Sequence, residues 1–474
     1  MTRSTRVRMT LLACVAGAAV SLANPSRAAA NGRFPTGGYF VVGGGAARGV
    51  MVLRATFGLL ASRDGGSTWA WVCEESFGAV GTFDASVAIG ASGRVVLTTP
   101  RGLRASDDGC AWAPPAGSVT RPFIDVSVDA TGSHMVTVAG PSGVDDVILR
   151  SRDGGASWTR GATLPGLYAS TIEVAPSNPM RVYVGGFLAD GTALLLRSDD
   201  GGATAREIAR DAAFLGGTSA YVSGVDPRDP DVLYVRASVG LGVALLRSDD
   251  GGATFRELTR SEGAMTGFAL SDDGETVWVG SDDRRDALRR STRGGPFERL
   301  PVTVTTRCLR QRDGVLYVCT DEAADGALLA CSTDGGEHLT VLVSARSLSG
   351  PPTWCTAESP VSSLCGPLWP SQRAALASID GGAPFTPGSH DASLDAPVDA
   401  RIDARETPDA PSHDASSDVT EYDQLEARDV DVARDLPSSD NGLDGATGPA
   451  PSARVRAQRA AERRSWGTVS CGWG

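Results

Sequence analysis

The chain has 474 residues, 58 of them glycine, and a formal net charge of −12 at pH 7. Between Asp391 and Asp444 lie 16 acidic residues and 4 arginines, so this stretch carries the whole net charge and the remainder is neutral overall. A neutral remainder argues against the basic surface that binds nucleic acid. The glycines follow no three-residue period, which excludes a collagen-like fold, and their abundance favours many tight turns.

The N-terminus has the pattern of an export signal. An arginine-rich start precedes the short apolar run 9–23, and three alanines at 28–30 offer a small-residue cleavage site. We expect residues 1–30 to be a signal peptide of a secreted, periplasmic or surface protein of a bacterium. Lipoprotein processing at Cys14 is the alternative, but the apolar segment before it has only about five residues, against roughly 7–15 in a usual signal. No later apolar stretch has transmembrane length.

One short motif recurs along the chain, with its clearest copies in the sequence Ser-Asp-Asp-Gly-Gly-Ala-Thr. Eight copies start at intervals of 41 to 50 residues, at Ser62, Ser106, Ser151, Ser198, Ser248, Ser291, Ser332 and Ser378. This period suits a four-stranded propeller blade. The runs between copies are rich in valine and tyrosine and are bounded by Gly, Pro and Asp, which indicates strands and not helices.

The motif has a physical role in a hairpin turn. Its Asp carboxylate can accept backbone N–H groups across the turn, and its glycine pair supplies positive φ. The aromatic residue that follows in several copies starts the returning strand and covers its apolar side. In the fourth repeat we expect Ile172–Ala175 to be an outer strand of its blade. We predict a structural role for the motif carboxylates, which are Asp64, Asp108, Asp153, Asp200, Asp250, Asp334 and Asp380.

These repeats resemble the BNR or Asp-box repeat of sialidases, sortilin-type receptors, some xyloglucan hydrolases and photosystem assembly factors. The resemblance covers residues 35–390 and implies an all-β propeller, which we place at 31–388. The motif departs from the family pattern at Arg293, which replaces the box aspartate, and at Cys110, which replaces a glycine. The eighth copy is degenerate upstream, so the repeats allow seven or eight blades.

The resemblance to sialidases does not carry their activity to this chain. That family needs an early arginine in a Phe/Tyr-Arg-Ile/Leu-Pro setting, and the nearest segment, 33–35, does not match. We predict no catalytic residue and no cofactor, and we expect a monomeric propeller that binds a protein or a glycan through a loop-lined face. A carbohydrate-active hydrolase, sialidase-like or of another glycosidase type, is the alternative, because a carboxylate pair could meet across blades.

Metal sites are not predicted. The acidic turns lack the twelfth-position glutamate of an EF-hand-like loop, and the four histidines are isolated in the sequence. Five cysteines crowd into 308–365 without a C-x-x-C pattern, and eight cysteines remain once the signal is removed. We therefore expect disulfides, with their pairing open.

The last part of the chain has a different composition. Residues 389–446 repeat short Asp-Ala units that repel one another, so we expect a disordered spacer there, with calcium collection as the alternative. Residues 447–474 form a basic segment with five arginines, Trp466 and Cys471. Its position resembles that of a bacterial surface-sorting tail, although the hydrophobic segment of such a tail is missing.

Overall fold

The strands of this chain form seven antiparallel sheets. The computed structural model describes residues 36–79, 83–140, 146–286 and 288–379. Each sheet is built from strands that follow one another in sequence, because each strand turns back onto its antiparallel neighbour. The protein is therefore a seven-bladed β-propeller, the lower of the two blade counts that the repeats allow. The predicted signal 1–30 and the predicted segments 389–446 and 447–474 lie outside the described residues.

The blades are numbered in chain order. Blade 1 contains β1 (Gly37–Val42), β2 (Met51–Ala55), β3 (Gly58–Ser62) and β4 (Ala70–Val72), and blade 2 contains β5 (Val87–Ile89), β6 (Val95–Thr99) and β7 (Gly102–Ser106). Blade 3 contains β8 (Phe123–Val128), β9 (Met135–Ala139), β10 (Asp146–Ser151) and β11 (Thr159–Leu164), and blade 4 contains β12 (Tyr168–Ala175), β13 (Asn178–Phe187), β14 (Ala193–Ser198) and β15 (Arg206–Arg210).

The remaining three blades each contain four strands. Blade 5 contains β16 (Ala220–Val225), β17 (Leu233–Val239), β18 (Gly242–Ser248) and β19 (Arg256–Ser261), and blade 6 contains β20 (Met265–Leu270), β21 (Thr276–Ser281), β22 (Arg289–Thr292) and β23 (Glu298–Arg299). Blade 7 contains β24 (Cys308–Arg312), β25 (Val315–Cys319), β26 (Leu329–Ser332) and β27 (Thr340–Val343).

The first strand of each blade is the innermost. These strands contact one another around the ring in the order β1, β5, β8, β12, β16, β20 and β24, and β24 contacts β1 again. Gly37 N donates to Thr320 O at 3.1 Å where the ring closes. The expectation that Ile172–Ala175 lies at the outside of its blade is wrong, because this segment belongs to β12. Adjacent blades cover both faces of a sheet, so the alternation of side chains does not distinguish inner from outer strands.

The core lies between successive blades. The valine- and tyrosine-rich runs predicted as strands place Tyr183, Tyr234 and Tyr317 on second strands, each at most 1% exposed. A buried phenol needs a hydrogen-bond partner, and the Tyr183 hydroxyl donates to the Pro230 carbonyl of blade 5 at 2.8 Å. These tyrosines therefore fill the interface between blades, and Tyr183 also joins two blades by a hydrogen bond.

Short helices occupy some connections. They are α1 (Glu74–Phe77), α2 (Glu322–Asp325), α3 (Pro360–Cys365) and α4 (Trp369–Ala377), with 3-10 turns at Gly45–Ala47, Asp211–Phe214 and Ala345–Ser347. The Ser359 side chain caps α3 by accepting from Ser362 N at 3.1 Å. Helices α3 and α4 occupy the part of the sequence in which an eighth blade would need strands. Within the described ranges, none of the helices has the length and hydropathy of a membrane span.

Disulfides fasten the segment after blade 7 to the first two blades. Cys365, at the end of α3, is bonded to Cys73, which directly follows β4. Cys355 is bonded to Cys110, the residue that replaces a glycine in the second motif copy. The expected disulfides are thus present, and two of them join the end of the ring covalently to its first two blades. The other bonded cysteines described are Cys308 with Cys319 inside blade 7, and Cys331.

Candidate functional site

Seven of the eight motif copies follow the third strand of a blade, and we call these turns the box turns. In blade 4, Ser198 Oγ and Thr204 N donate to Asp200 Oδ1 at 2.7 and 2.9 Å, and Thr204 Oγ1 donates to Oδ2 at 2.7 Å. Gly201 and Gly202 have φ of 70° and 86°, where a side chain would be strained. The same N–H bond from four residues later reaches Asp64, Asp153, Asp250 and Asp334.

Two box turns depart from this geometry. Asp108 accepts from Cys110 N at 2.8 Å, a bond that spans two residues and not four. Arg293, which stands where the other copies have aspartate, adopts a φ of 53° and pairs with Glu275 at 3.1 Å. The described residues end before Asp380, the seventh predicted box aspartate, which belongs to the eighth motif copy.

Box turns lie at the same end of the ring as the turns between first and second strands. Gly201 N donates to Met180 O at 2.8 Å, Gly251 N to Asp231 O at 2.8 Å and Gly154 N to Ser133 O at 2.9 Å. Each of these bonds joins the box turn to the first hairpin of its own blade. We call this end of the propeller the box end.

Removing a box carboxylate is expected to destabilise the propeller modestly. The hydrogen bond from Thr204 N, followed by those from the hydroxyls, lowers the pKa of Asp200 from 3.8 to about 2. A lowered carboxyl pKa stabilises the fold above pH 3.8, and this contribution is lost as the pH falls toward 2. We expect Asp200→Ala to lower the free energy of unfolding by about 1 kcal/mol at pH 7, because the bonds are largely exposed.

Urea denaturation at pH 7 and near pH 2 measures this effect. Asp200→Asn is the matched control, because it keeps an acceptor oxygen without the charge and should lose less than Asp200→Ala. An equal loss for Asp200→Ala at both pH values would contradict the assignment.

A cavity of about 520 Å³ opens at the box end of the central channel. We call this cavity the channel mouth. Its volume falls in the range of small-ligand sites. The first strand of every blade contributes residues to the lining, among them Tyr39, Ala88, Ser127, Glu173, Ser223, Phe268 and Arg310.

One carboxylate beside the channel is fully engaged by neighbouring blades. Asp125 of β8 is 8% exposed and accepts from Ser86 Oγ at 2.8 Å, from Ile172 N at 3.0 Å and from Thr171 Oγ1 at 3.1 Å. Burial raises the pKa of Asp125 against the opposing effect of these bonds. Asp125 thus joins blades 2, 3 and 4, and its oxygens face protein donors.

A second carboxyl group, Glu173 of β12, faces the channel mouth. Ser127 Oγ lies 2.7 Å from Glu173 Oε2. Burial first, and then the charge of Asp125, raise the pKa of Glu173 from 4.5 to about 8. Glu173 is therefore mainly a neutral carboxylic acid at pH 7, which can donate as well as accept a hydrogen bond.

Two guanidinium groups enter the channel mouth from β24. Arg310 and Arg312 are two residues apart on one strand, so their side chains leave the same face. Within the described part of the chain, neither side chain has a hydrogen bond or an ion pair. Arg312 lies so close to Gly44 that a Cβ at position 44 would overlap with its Nη2 atom. Burial, and then the charge of Arg310, lower the pKa of Arg312.

Replacing Glu173 by glutamine is expected to make the fold less sensitive to alkaline pH. A raised carboxyl pKa means that the folded state holds the proton more tightly, so stability falls as the pH rises from 4.5 toward about 8. Glu173→Gln removes this ionisation. We expect it to match the wild type at pH 4 and to exceed it by about 1–2 kcal/mol at pH 9, a discounted share of the shift because the channel is wet.

Melting curves from pH 4 to pH 9 test this expectation. The exposed Glu298 on β23 provides the matched control, and Glu298→Gln should follow the wild type throughout. Some pH dependence should remain in Glu173→Gln, because burial also raises the pKa of Glu74 to about 7. A Glu173→Gln protein that loses stability at pH 9 as steeply as the wild type would contradict the prediction.

The residues of the channel mouth did not stand out in the sequence. The repeats predicted a loop-lined face for binding, and Glu173, Arg310 and Arg312 were missed. The only signal in the sequence was the position of charged residues within predicted strands, one in β12 and two at alternate positions of β24. Assigning them to a site required knowing that β12 and β24 are innermost strands.

Fold and site together define a class, a seven-bladed β-propeller with a polar cavity at the box end of its channel. No family model matches the sequence, and no curated protein sequence is significantly similar to it. Solved structures that are similar include an ancestral GH74 enzyme, at 14% identity over 66% of this chain and 46% of that chain, with a TM-score of 0.49.

Two further solved structures are similar to this chain. The GH74 xyloglucanase from Xanthomonas campestris has 16% identity over 68% of this chain and 65% of that chain, with a TM-score of 0.34. YCF48 bound to D1 peptide has 18% identity over 47% of this chain and 67% of that chain, with a TM-score of 0.35. This chain thus covers less than two thirds of both GH74 enzymes.

Proposed function

We propose that this chain is an exported, non-catalytic propeller of the Asp-box type that binds a protein or a glycan at the channel mouth. The observation that carries the proposal is the cavity of about 520 Å³, which is lined by polar groups on rigid inner strands. A site of this size built on strands can hold a ligand with little reorganisation.

The charge state of the carboxyl groups favours binding over hydrolysis. Glycoside hydrolysis needs a protonated acid and an ionised carboxylate that flank the substrate. Glu173 suits the first role, since its pKa is raised to about 8. Its neighbour Asp125 is 8% exposed and is occupied by donors from blades 2 and 4, so it offers no free oxygen to water or sugar. A hydrolase is the second candidate, supported by the protonated state of Glu173.

The disulfides support the export part of the proposal. Such bonds form and persist in oxidising compartments, and two of them join distant parts of the chain, over 292 and 245 residues. We propose that residues 1–30 direct export, that the acidic stretch 389–446 is a spacer, and that 447–474 is a separate basic segment.

The test uses the chain from Asn31 to its C-terminus and a panel of neutral and acidic oligosaccharides and short peptides. Binding is measured by calorimetry and hydrolysis by the release of reducing ends. Ala130→Trp places a large side chain at the exposed rim of the channel mouth. Ala212→Trp is the control, because it places the same side chain on the 3-10 turn before blade 5, outside the channel mouth. We expect binding that Ala130→Trp weakens and Ala212→Trp does not. Release of reducing ends that Glu173→Gln abolishes would establish the hydrolase instead.

A further inference from the structure

We propose that Arg310 and Arg312 of β24 form a carboxylate-binding site at the channel mouth. The inference rests on the proposed function, because it names the chemical group of the ligand that the cavity takes. Both side chains line the same cavity of about 520 Å³ and leave the same face of one strand.

The two guanidinium groups bring positive charge into the channel mouth without a direct partner. Arg310 is exposed and Arg312 is half-buried, and no hydrogen bond or ion pair holds either one among the residues that the structure describes. Guanidinium groups remain charged at any physiological pH, so two of them in one cavity repel each other. An anion bound between them would remove this repulsion.

The acidic residues at the rim do not supply that anion. Asp129 accepts two backbone N–H groups of its own turn, at 3.0 and 3.1 Å. Asp313 pairs with Arg48 at 3.2 Å, and Asp272 accepts from Gly314 N at 3.3 Å. Each of these carboxylates thus has a direct partner of its own. Asp313 and Asp272 act on Arg312 through their charge, but neither forms an ion pair with it, so the N–H groups of both arginines stay available to a ligand.

The rest of the cavity wall supplies neutral donors and an apolar surface, with Tyr39 and Phe268 on the two strands beside β24 and Glu173 across the channel. Burial raises the pKa of the Tyr39 hydroxyl, so this group stays protonated, and Glu173 is a neutral acid at pH 7. Phe268 contributes an aromatic face to the same lining. A carboxylate on a small polar body fits this combination, because the planar guanidinium fork matches the two oxygens of a carboxylate.

Close packing at Gly44 adds a steric argument. A side chain at position 44 would occupy the space that Arg312 Nη2 now takes. The absence of a side chain at Gly44 therefore leaves room for the guanidinium group against the backbone of blade 1. This placement keeps Arg312 half-buried at the channel mouth.

The experiment compares acid and neutralised forms of two probes, which distinguish a sugar source of the carboxylate from a peptide source. One pair is trigalacturonate and its methyl ester, and the other is a tetra-alanine peptide with a free or an amidated C-terminus. Calorimetry at low salt measures binding to the chain from Asn31 onward, since salt screens such contacts. The variants are Arg310→Gln/Arg312→Gln and a control, Arg101→Gln/Arg152→Gln, at two exposed arginines.

We expect one acid probe to bind about tenfold or more tightly than its neutral form, as for charge-assisted hydrogen bonds. Arg310→Gln/Arg312→Gln should abolish this preference, and the control variant should keep it. Melting curves check that both variants are folded. If Arg310→Gln/Arg312→Gln destabilises the protein, the single Arg310→Gln variant tests the same preference.

Three outcomes would overturn the inference. They are equal affinity for acid and neutral probes, an acid preference that persists in Arg310→Gln/Arg312→Gln, and no binding of either acid probe. If a neutral panel member binds and Ala130→Trp weakens that binding, the carboxylate inference fails while the proposed function stands. If no member of the full panel binds, both fail.

Discussion

Replacing Cys73 and Cys365 by serine is expected to lower the free energy of unfolding by about 4 kcal/mol. The bonded residues are 292 apart in sequence, but while Cys110–Cys355 stays bonded, removing Cys73–Cys365 opens a loop made of residues 73–110 and 355–365, and the entropy of that loop returns to the unfolded state. The variant also loses the covalent bond between blade 1 and the segment that follows blade 7. We expect protease to cut this variant first in the segment that follows blade 7, residues 344–379, before the protein unfolds globally.

Cys308→Ser/Cys319→Ser is the matched control for this prediction. Its bond spans only 11 residues inside blade 7, and the same loop argument gives it about 3 kcal/mol. Guanidinium denaturation of the oxidised proteins measures both losses. A loss from the short-loop variant that equals or exceeds that of Cys73→Ser/Cys365→Ser would show that loop closure is not the source of the stability.

Truncating the tryptophan of the third box turn is expected to cost about 3–5 kcal/mol. Trp158 is 3% exposed and belongs to the core cluster between blades 2 and 3, with Phe123 and Met135. Its Nε1 donates to Gly155 O at 3.2 Å, so the ring also ties the box turn together. Trp158→Ala removes both the packing and this bond.

Trp158→Phe separates the two contributions. It keeps most of the buried aromatic surface and loses the hydrogen bond, so a loss of about 1–2 kcal/mol is expected. Denaturant unfolding of the three proteins gives the comparison. A Trp158→Ala protein as stable as the wild type would contradict a core role for this residue.

The sequence predicted the blades because their signals are local. The hydrogen bonds of a box turn span two to four residues, and strands such as Val182–Val184 pair with their neighbour within one hairpin. These features do not depend on distant parts of the chain. The copy at Ser378 did not predict a blade correctly, because a short turn motif does not reveal that helices α3 and α4 precede it.

The channel mouth could not be predicted in the same way. Asp125 meets Ile172 across 47 residues, and Arg312 meets Gly44 only because the first and last blades close the ring. Such contacts follow from the order of strands around the centre and leave no periodic signal. For the same reason the cysteine spacing did not give the partners of Cys73 and Cys110.

The bonds Cys73–Cys365 and Cys110–Cys355 also constrain the order in which the cysteines can be oxidised. Cys73 and Cys110 are made and emerge long before their partners Cys365 and Cys355, and they are near neighbours in sequence. If disulfides formed in the order in which the thiols appear, Cys73 would bond to Cys110, and their native partners Cys355 and Cys365 would be left to bond to each other. A native molecule therefore requires that the early thiols wait until blade 7 is complete, or that a wrong bond be exchanged through an attacking thiolate. Production of this propeller should thus depend on a disulfide isomerase more than on a strong oxidant.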